Sequence, residues 1–246
     1  MSADASWIAL GGAIAIAYTV EAALGFGSIV IALALGALVL PMSALLPVLV
    51  PLSTVMNALM TLRLRAQIDR ALLLRRIAPW MLAGMLAGYL LRPWAGDAAL
   101  VPLFGALVLA FALREGWRLR RAGAPEPHPP WRARALTAAA GLTHGLYASG
   151  GPLLVAALAG TTLDKARLRA TLIAVWLVLN ASLTLLYAAD GTLAPALPRA
   201  AAYLPVMLVG IVAGEALHRR LDERRFRALV LALLAVTGAA LVARGG

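Results

Sequence analysis

Cysteine is absent from all 246 positions, which excludes disulfides, thiol catalysis and thiolate metal sites. Charge is scarce as well: 13% of residues are Asp, Glu, Lys or Arg, against about a quarter in an ordinary soluble domain. Acids are scarcest, 11 against 22 Lys and Arg, so the formal net charge is +11. In a soluble chain that excess would point to nucleic acid. Here 62% of residues are hydrophobic, and the basic residues sit between apolar runs about one bilayer crossing long. The expected partner is therefore the lipid bilayer and not nucleic acid. Only three histidines occur, at 128, 144 and 218, and none shows metal-ligand spacing, so neither metal nor cofactor is expected. The opening MSADASW lacks the basic flank of a signal peptide and is expected to be retained.

The clearest apolar spans are roughly 42–62, 77–92, 99–114, 170–188, 200–217 and 228–243. Two further stretches, 6–40 and 134–161, are too long for one crossing and are broken by glycine near the middle. Nineteen of the 22 basic residues fall in the segments 63–76, 114–134, 162–169 and 218–227. With those segments cytoplasmic, six single crossings satisfy the charge rule throughout, provided each Gly-broken stretch returns to the side it came from. The arms after the breaks, 29–40 and 152–161, are too short to span comfortably. Two hairpins are predicted, with GFGS (25–28) and ASGGP (148–152) at their tips. One enters from outside and the other from the cytoplasm.

Self-comparison reveals a repeat. VMNALMTL (55–62) matches VLNASLTL (178–185) at an offset of 123, and PWMLAGMLAGYLL (79–91) matches PVMLVGIVAGEAL (205–217) at 126. The first offset also aligns the tips at Gly27 and Gly150. The predicted fold is an all-α polytopic membrane protein of about eight membrane helices or hairpins. Residues 1–118 form a first repeat, 119–133 a Pro-rich cytoplasmic linker and 134–246 a second repeat. Each repeat holds a hairpin plus three crossings, an odd number, so the second is inverted relative to the first. Inverted repeats with broken helices are a common plan of secondary transporters.

Each tip starts a short helix inside the membrane, where unpaired N–H groups and a partial positive charge await water, protein or an anion. Ser28 is expected to cap the arm that begins at Ile29, and Pro152 suits a first helical position. The candidate binding residues are Gly25, Phe26, Gly27, Ser28, Asn57, Ser149, Gly150, Gly151 and Asn180. The competing reading of the glycines is tight packing, and that of the asparagines interhelical glue. Thr61 and Thr184 share the asparagine faces. Glu21 and His144, also 123 apart, each lie about one turn before a tip. They serve either proton coupling and gating or a neutral hydrogen-bonded pair between the hairpins. Gly84/Gly88 and Gly210/Gly214 are read as helix-packing motifs.

The two Gly-centred hairpins GFGS and SGGP, each followed by three crossings with a repeated Asn, resemble the sulfite exporter TauE/SafE family over about residues 8 to 243. The resemblance implies a bacterial inner-membrane permease for sulfite, sulfonates and related organosulfur anions, commonly an exporter. It places the family's paired Gly-rich segments on Gly25, Phe26, Gly27 and Ser28 and on Ser149, Gly150, Gly151 and Pro152. The family often carries an extra glycine in the first segment, and Gly-Ile or similar where this chain has Ala148-Ser149.

The expected function is a secondary transporter of small sulfur-containing anions, working by alternating access around a midplane site. A homodimer is compatible with this reading. An anion channel is the nearer rival. An intramembrane serine hydrolase is the distant one: Ala148-Ser149-Gly150 resembles the nucleophile segment of rhomboid-like proteases, but Tyr147 stands where they have glycine. No later span supplies a histidine as partner base either.

Overall fold

The computed structural model describes residues 3–120, 129–158, 163–220 and 223–245. Every regular element among them is helical. The chain runs α1 (Ala3–Leu24), α2 (Ser28–Gly36), α3 (Met42–Leu64), a 3-10 turn (Arg65–Gln67), a π turn (Leu72–Ile77), α4 (Ala78–Arg120) and α5 (Pro130–Tyr147). It continues as α6 (Gly151–Ala157), α7 (Lys165–Ala189), α8 (Leu193–Ala202), α9 (Leu204–Arg220) and α10 (Glu223–Gly245). Most of the linker read at 119–133 falls on 121–128, outside the described residues.

Four helical segments are long and apolar enough to cross a bilayer: Ala5–Leu24, Met42–Gln67, Ala98–Leu119 and Ala166–Ala189. The pair Leu193–Ala202 and Leu204–His218, bent by 55°, makes a fifth if taken together. Their large apolar side chains point outward as well as inward: Leu185, Val209 and Val212 are each about 70% exposed. Water would penalise that surface, whereas lipid does not. This is a multi-pass helical membrane protein.

Both Gly-broken stretches fold back on themselves. Gly27 lies beside Val20 and Gly36 beside Leu10, so α2 runs back along α1. Gly150 backs onto the Ala140 carbonyl, so α6 likewise begins well down the flank of α5. With nine and seven residues, α2 and α6 are about 14 and 10 Å long, under half the hydrocarbon thickness. The segments 77–92 and 99–114, read as separate crossings, are the two arms of α4, divided where Gly96 leaves helical geometry at φ 62° and ψ 160°, and the second arm, Ala98–Leu119, is a span in its own right.

The chain forms two compact units, each drawing on both halves of the sequence. The first comprises Met1–Leu46, Ala95–Gly123 and Ala202–Gly246; the second comprises Pro47–Trp94 and Ala124–Ala201. Three of the passages between them fall at or next to helix defects: Pro47 within α3, the Gly96 break, and the bend at Tyr203.

In the first unit α1 and α9 pack in parallel at a nearly constant offset. The Tyr203 hydroxyl donates to the Trp7 carbonyl (2.6 Å) and His218 Nδ1 meets the Ala23 carbonyl (2.9 Å). Between these ends Gly210 abuts Tyr18, and Gly214 abuts the Thr19 carbonyl. In the second unit the arm of α4 before Gly96 packs in parallel on α5: Gly84 and Gly88 face Ala138, Leu142 and Gly145, while Gly141 and Gly145 face Met81 and Met85. These glycines let backbones touch where any Cβ would collide, as the G-x-x-x-G spacing predicts.

Candidate functional site

The second unit holds a cluster of buried polar side chains on α3, α5, the α5–α6 turn and α7. Its register follows from two hydrogen bonds. The Thr54 and Thr184 hydroxyls pair at 2.9 Å, and the Asp69 N–H donates to Thr171 Oγ1 at 3.0 Å. As one partner advances the other recedes, so α3 with its following turn runs antiparallel to α7. Asn57, one turn beyond Thr54, and Asn180, one turn before Thr184, therefore come level.

Asn57 is fully buried, and neither atom of its amide has a hydrogen-bond partner. Asn180, 2% exposed, leaves its Oδ1 unpartnered. His144 on α5 faces Asn180, and its ring stacks on Trp176 with centroids 6.1 Å apart and planes 13° from parallel. Both imidazole nitrogens are buried without a partner, and so is Ser149 Oγ. An unsatisfied buried polar group costs on the order of 1–3 kcal/mol. Several together would consume a large share of the few kcal/mol that keep a domain folded.

The glue reading fits the two asparagines unequally, since Asn180 faces His144 across the helices. Glue requires partners, and Asn57 has none, whereas the pair that ties α3 to α7 is Thr54–Thr184. Thr184 is thereby occupied: it meets Thr54 and donates to the Asn180 carbonyl (2.7 Å). Thr61, one turn past Asn57, also has an unpartnered hydroxyl. Trp176 and Thr54 were not singled out from the sequence, although Trp176 lies four residues before Asn180 and so on the same helical face.

The turn from α5 to α6 positions Ser149. Ala148 ends α5 in the left-handed region (φ 51°, ψ 25°), its N–H donating to the His144 carbonyl at 2.6 Å. Gly150 then packs so tightly on Ala140 that no side chain fits there. α6 opens at Gly151 with Pro152 in its first turn. Because Ala140 lies ten residues into α5, the turn returns to about 15 Å from Pro130 along the helix axis, roughly half a bilayer core.

The first unit presents a different tip. Gly25 and Gly27 both take positive φ, 86° and 113°, and reverse the chain within three residues. Phe26 sits edge-on to Phe111 with centroids 6.5 Å apart. Ser28 does not cap the second arm as the sequence suggested: Gly27 holds the cap position and Ser28 is the first helical residue. The cap comes instead from Glu21, whose Oε2 accepts the Ser28 N–H at 2.9 Å. A carboxylate at a helix start satisfies an orphan donor and complements the helix dipole. Glu21 and His144 thus have separate surroundings, one in each unit. The nine binding candidates divide likewise: Gly25, Phe26, Gly27 and Ser28 in the first unit, Asn57, Ser149, Gly150, Gly151 and Asn180 in the second.

Among the described residues no group of three or more His, Asp or Glu is placed to hold a metal. Comparison with the curated proteins gives no match, nor does comparison with the solved structures. The family model described as sulfite exporter TauE/SafE matches residues 10–241. That match takes in both Gly-broken turns and nearly the whole chain, and the chain belongs to the sulfite exporter TauE/SafE family.

Proposed function

We propose that this protein is a secondary transporter in a bacterial inner membrane that exports small sulfur-containing anions such as sulfite or organosulfonates. Family membership supports the transporter class and the sulfur anion. The observation that carries the site assignment is Asn57, buried with its whole amide unpartnered and level with Asn180, while a separate threonine pair ties the same helices. His144 and Ser149 complete a neutral set of donors and acceptors. Among the described residues no Lys or Arg falls in the buried class, so the anion is held by neutral hydrogen-bond donors. Such a site holds its substrate weakly enough to release it.

The mechanism is alternating access: the site opens to one side of the membrane at a time. The architecture behind it is two inverted repeats, each a hairpin and three crossings. In support, α1 packs in parallel on α9 just as α5 packs in parallel on the first arm of α4, and these pairs correspond under the sequence offset. Of the two groups considered for proton coupling, His144 is the one assigned to it here, while Glu21 caps α2. A channel is the competing reading, and the two differ in saturation.

Sulfite flux in proteoliposomes, with and without a pH gradient and against protein-free vesicles, tests the proposal. Saturable flux that responds to the gradient is the expected result. Flux that stays linear in sulfite and ignores the gradient would make the protein a channel. No flux from a well-folded sample would remove the substrate class.

A further inference from the structure

The open hydrogen-bonding atoms of the second unit restrict the protonation state of the ligand, an inference that rests on the transport site proposed above. Asn57 offers one donor group and one acceptor, both unpartnered, and this balance survives a flip of the amide. Ser149 Oγ can act in either sense, and a neutral imidazole at His144 supplies one donor and one acceptor. Asn180 Oδ1 adds an acceptor. Among these side chains acceptors are at least as numerous as fixed donors, and no Lys or Arg among the described residues is in the buried class to offset a second negative charge.

A fully deprotonated oxyanion presents acceptors only. It would satisfy the Asn57 amino group, the serine hydroxyl and one imidazole N–H. It would also leave the Asn57 and Asn180 carbonyl oxygens facing its own negative oxygens, unpaired and repelled. An oxyanion that keeps one proton answers both needs: its O–H donates to an amide carbonyl, and its remaining oxygens accept. Its single charge suits a neutral site better than a double one, because desolvation cost rises steeply with charge. We infer that the site selects a singly protonated oxyanion, hydrogen sulfite rather than the sulfite dianion, through the amide carbonyls of Asn57 and Asn180.

Sulfite loses its remaining proton near neutral pH, so ligand titration can be read directly, but groups around the site must be accounted for. His144 lies on α5 with Tyr147 one turn on, and the facing arm of α4 brings Tyr89 against Gly145. α7 contributes Trp176 and Asn180 and, about three turns nearer its start, Arg169 with its Nε buried, while α6 carries no titratable side chain. Phenols titrate far above neutrality, which leaves the imidazole as the protein group to control for.

Calorimetric titration of the purified full-length protein with sulfite, and separately with methanesulfonate, across the pH range in which sulfite deprotonates is the test. Methanesulfonate keeps one charge throughout and carries a methyl where hydrogen sulfite can carry its proton. Total sulfite should bind about tenfold more weakly for each pH unit above its own titration, as the competent form disappears. Methanesulfonate should bind at least about tenfold more weakly than sulfite at the acid end, with a flat profile. Equal affinity for the two ligands, or sulfite binding that holds steady or tightens as pH rises, would overturn the inference and leave the transporter reading in place. A methanesulfonate profile that falls in parallel with sulfite would assign the pH effect to His144 and likewise overturn it. Absence of binding by either ligand at every pH would overturn both this inference and the substrate class on which it rests.

Discussion

The first hairpin turns beside a carboxylate and the second beside an imidazole, and the two groups are spent differently. Glu21 is committed to the structure, since its Oε2 takes the N–H that opens α2. At the second tip no side chain caps α6, and His144 and Ser149 keep their polar atoms unpartnered. The positive φ angles also differ in kind: glycines carry them at 25 and 27, an alanine at 148. The two tips, which one sequence offset aligns, thus differ: at the first a carboxylate oxygen caps the helix that follows, and at the second no side chain does. If this contrast is correct, substitutions at the first tip should act mainly on stability and those at the second on transport.

The largest effect probes what the two units still share. A methyl on Gly145 would run into the Met85 carbonyl, and one on Gly214 into the Thr19 carbonyl. Neither obstacle is a side chain that can swing away. Gly145→Ala and Gly214→Ala should each cost several kcal/mol, on the order of 3 or more, and abolish the monodisperse peak in size-exclusion chromatography. Gly116→Ala, where a methyl would meet nothing within 4 Å, is the control and should behave as the parent. Loss of the peak with Gly145→Ala alone would show that only the second unit depends on close helix contact.

Asn57→Ala sharpens the contrast from the other side. Removing a buried amide that has no partner should leave the melting temperature unchanged or slightly higher, while sulfite transport falls about tenfold or more for the loss of one or two ligand hydrogen bonds. A large fall in melting temperature with unchanged flux would return Asn57 to a structural role.

Both breaks were legible because Gly, Ser and Pro clusters stand out in an apolar run, and the asparagine pair was legible because the sequence around it recurs. What Glu21 does was not. Its carboxylate reaches seven residues ahead only after Gly25 and Gly27 have reversed the chain, and that geometry is written in backbone angles. That a threonine pair ties the same two helices was equally hidden, because Thr54 meets Thr184 130 residues away. The break within α4 was legible too, because Arg92-Pro93 and Gly96-Asp97 interrupt the apolar run where the structure leaves helical geometry. A proline in the last turn before the Gly96 break forfeits little hydrogen bonding, so the helix tolerates it there.

Glu21→Gln should show the opposite signature to Asn57→Ala. Glutamine keeps an oxygen for the Ser28 N–H but loses the charge that strengthens the bond and complements the helix start. The expected cost is about 1 kcal/mol, or roughly 2–4 °C in melting temperature for a chain of this size. A stable variant with a changed pH profile of flux would move Glu21 from the structural to the coupling side of the contrast.

Ala148→Gly tests the second tip's unusual backbone. An L-residue at φ 51° is strained by about 1 kcal/mol or more, and glycine removes that strain while gaining freedom in the unfolded chain. The net effect should be a small rise in melting temperature, up to about 2 °C. A fall would mean that the methyl contributes packing worth more than the strain.

The smallest effect lies at the far end of α7, where the second unit does keep a satisfied carboxylate. Asp190 follows the helix and accepts from the Thr192 N–H, the Thr192 hydroxyl and the Tyr89 hydroxyl. Partial burial pushes its carboxyl upward, but these hydrogen bonds and the nearby Arg92 outweigh it and hold the group below the ordinary carboxylate range. A folded-state value below the unfolded one means that the stabilisation is complete at neutral pH. It is lost only as the pH falls below about 4 and through the depressed value. Because the side chain is largely solvated, the gain should be slight. Melting temperatures of parent and Asp190→Asn should therefore differ by about a degree at neutral pH and converge in acid. A gap that widened on acidification would reverse the sign of the linkage and place Asp190 with the unsatisfied groups of its unit.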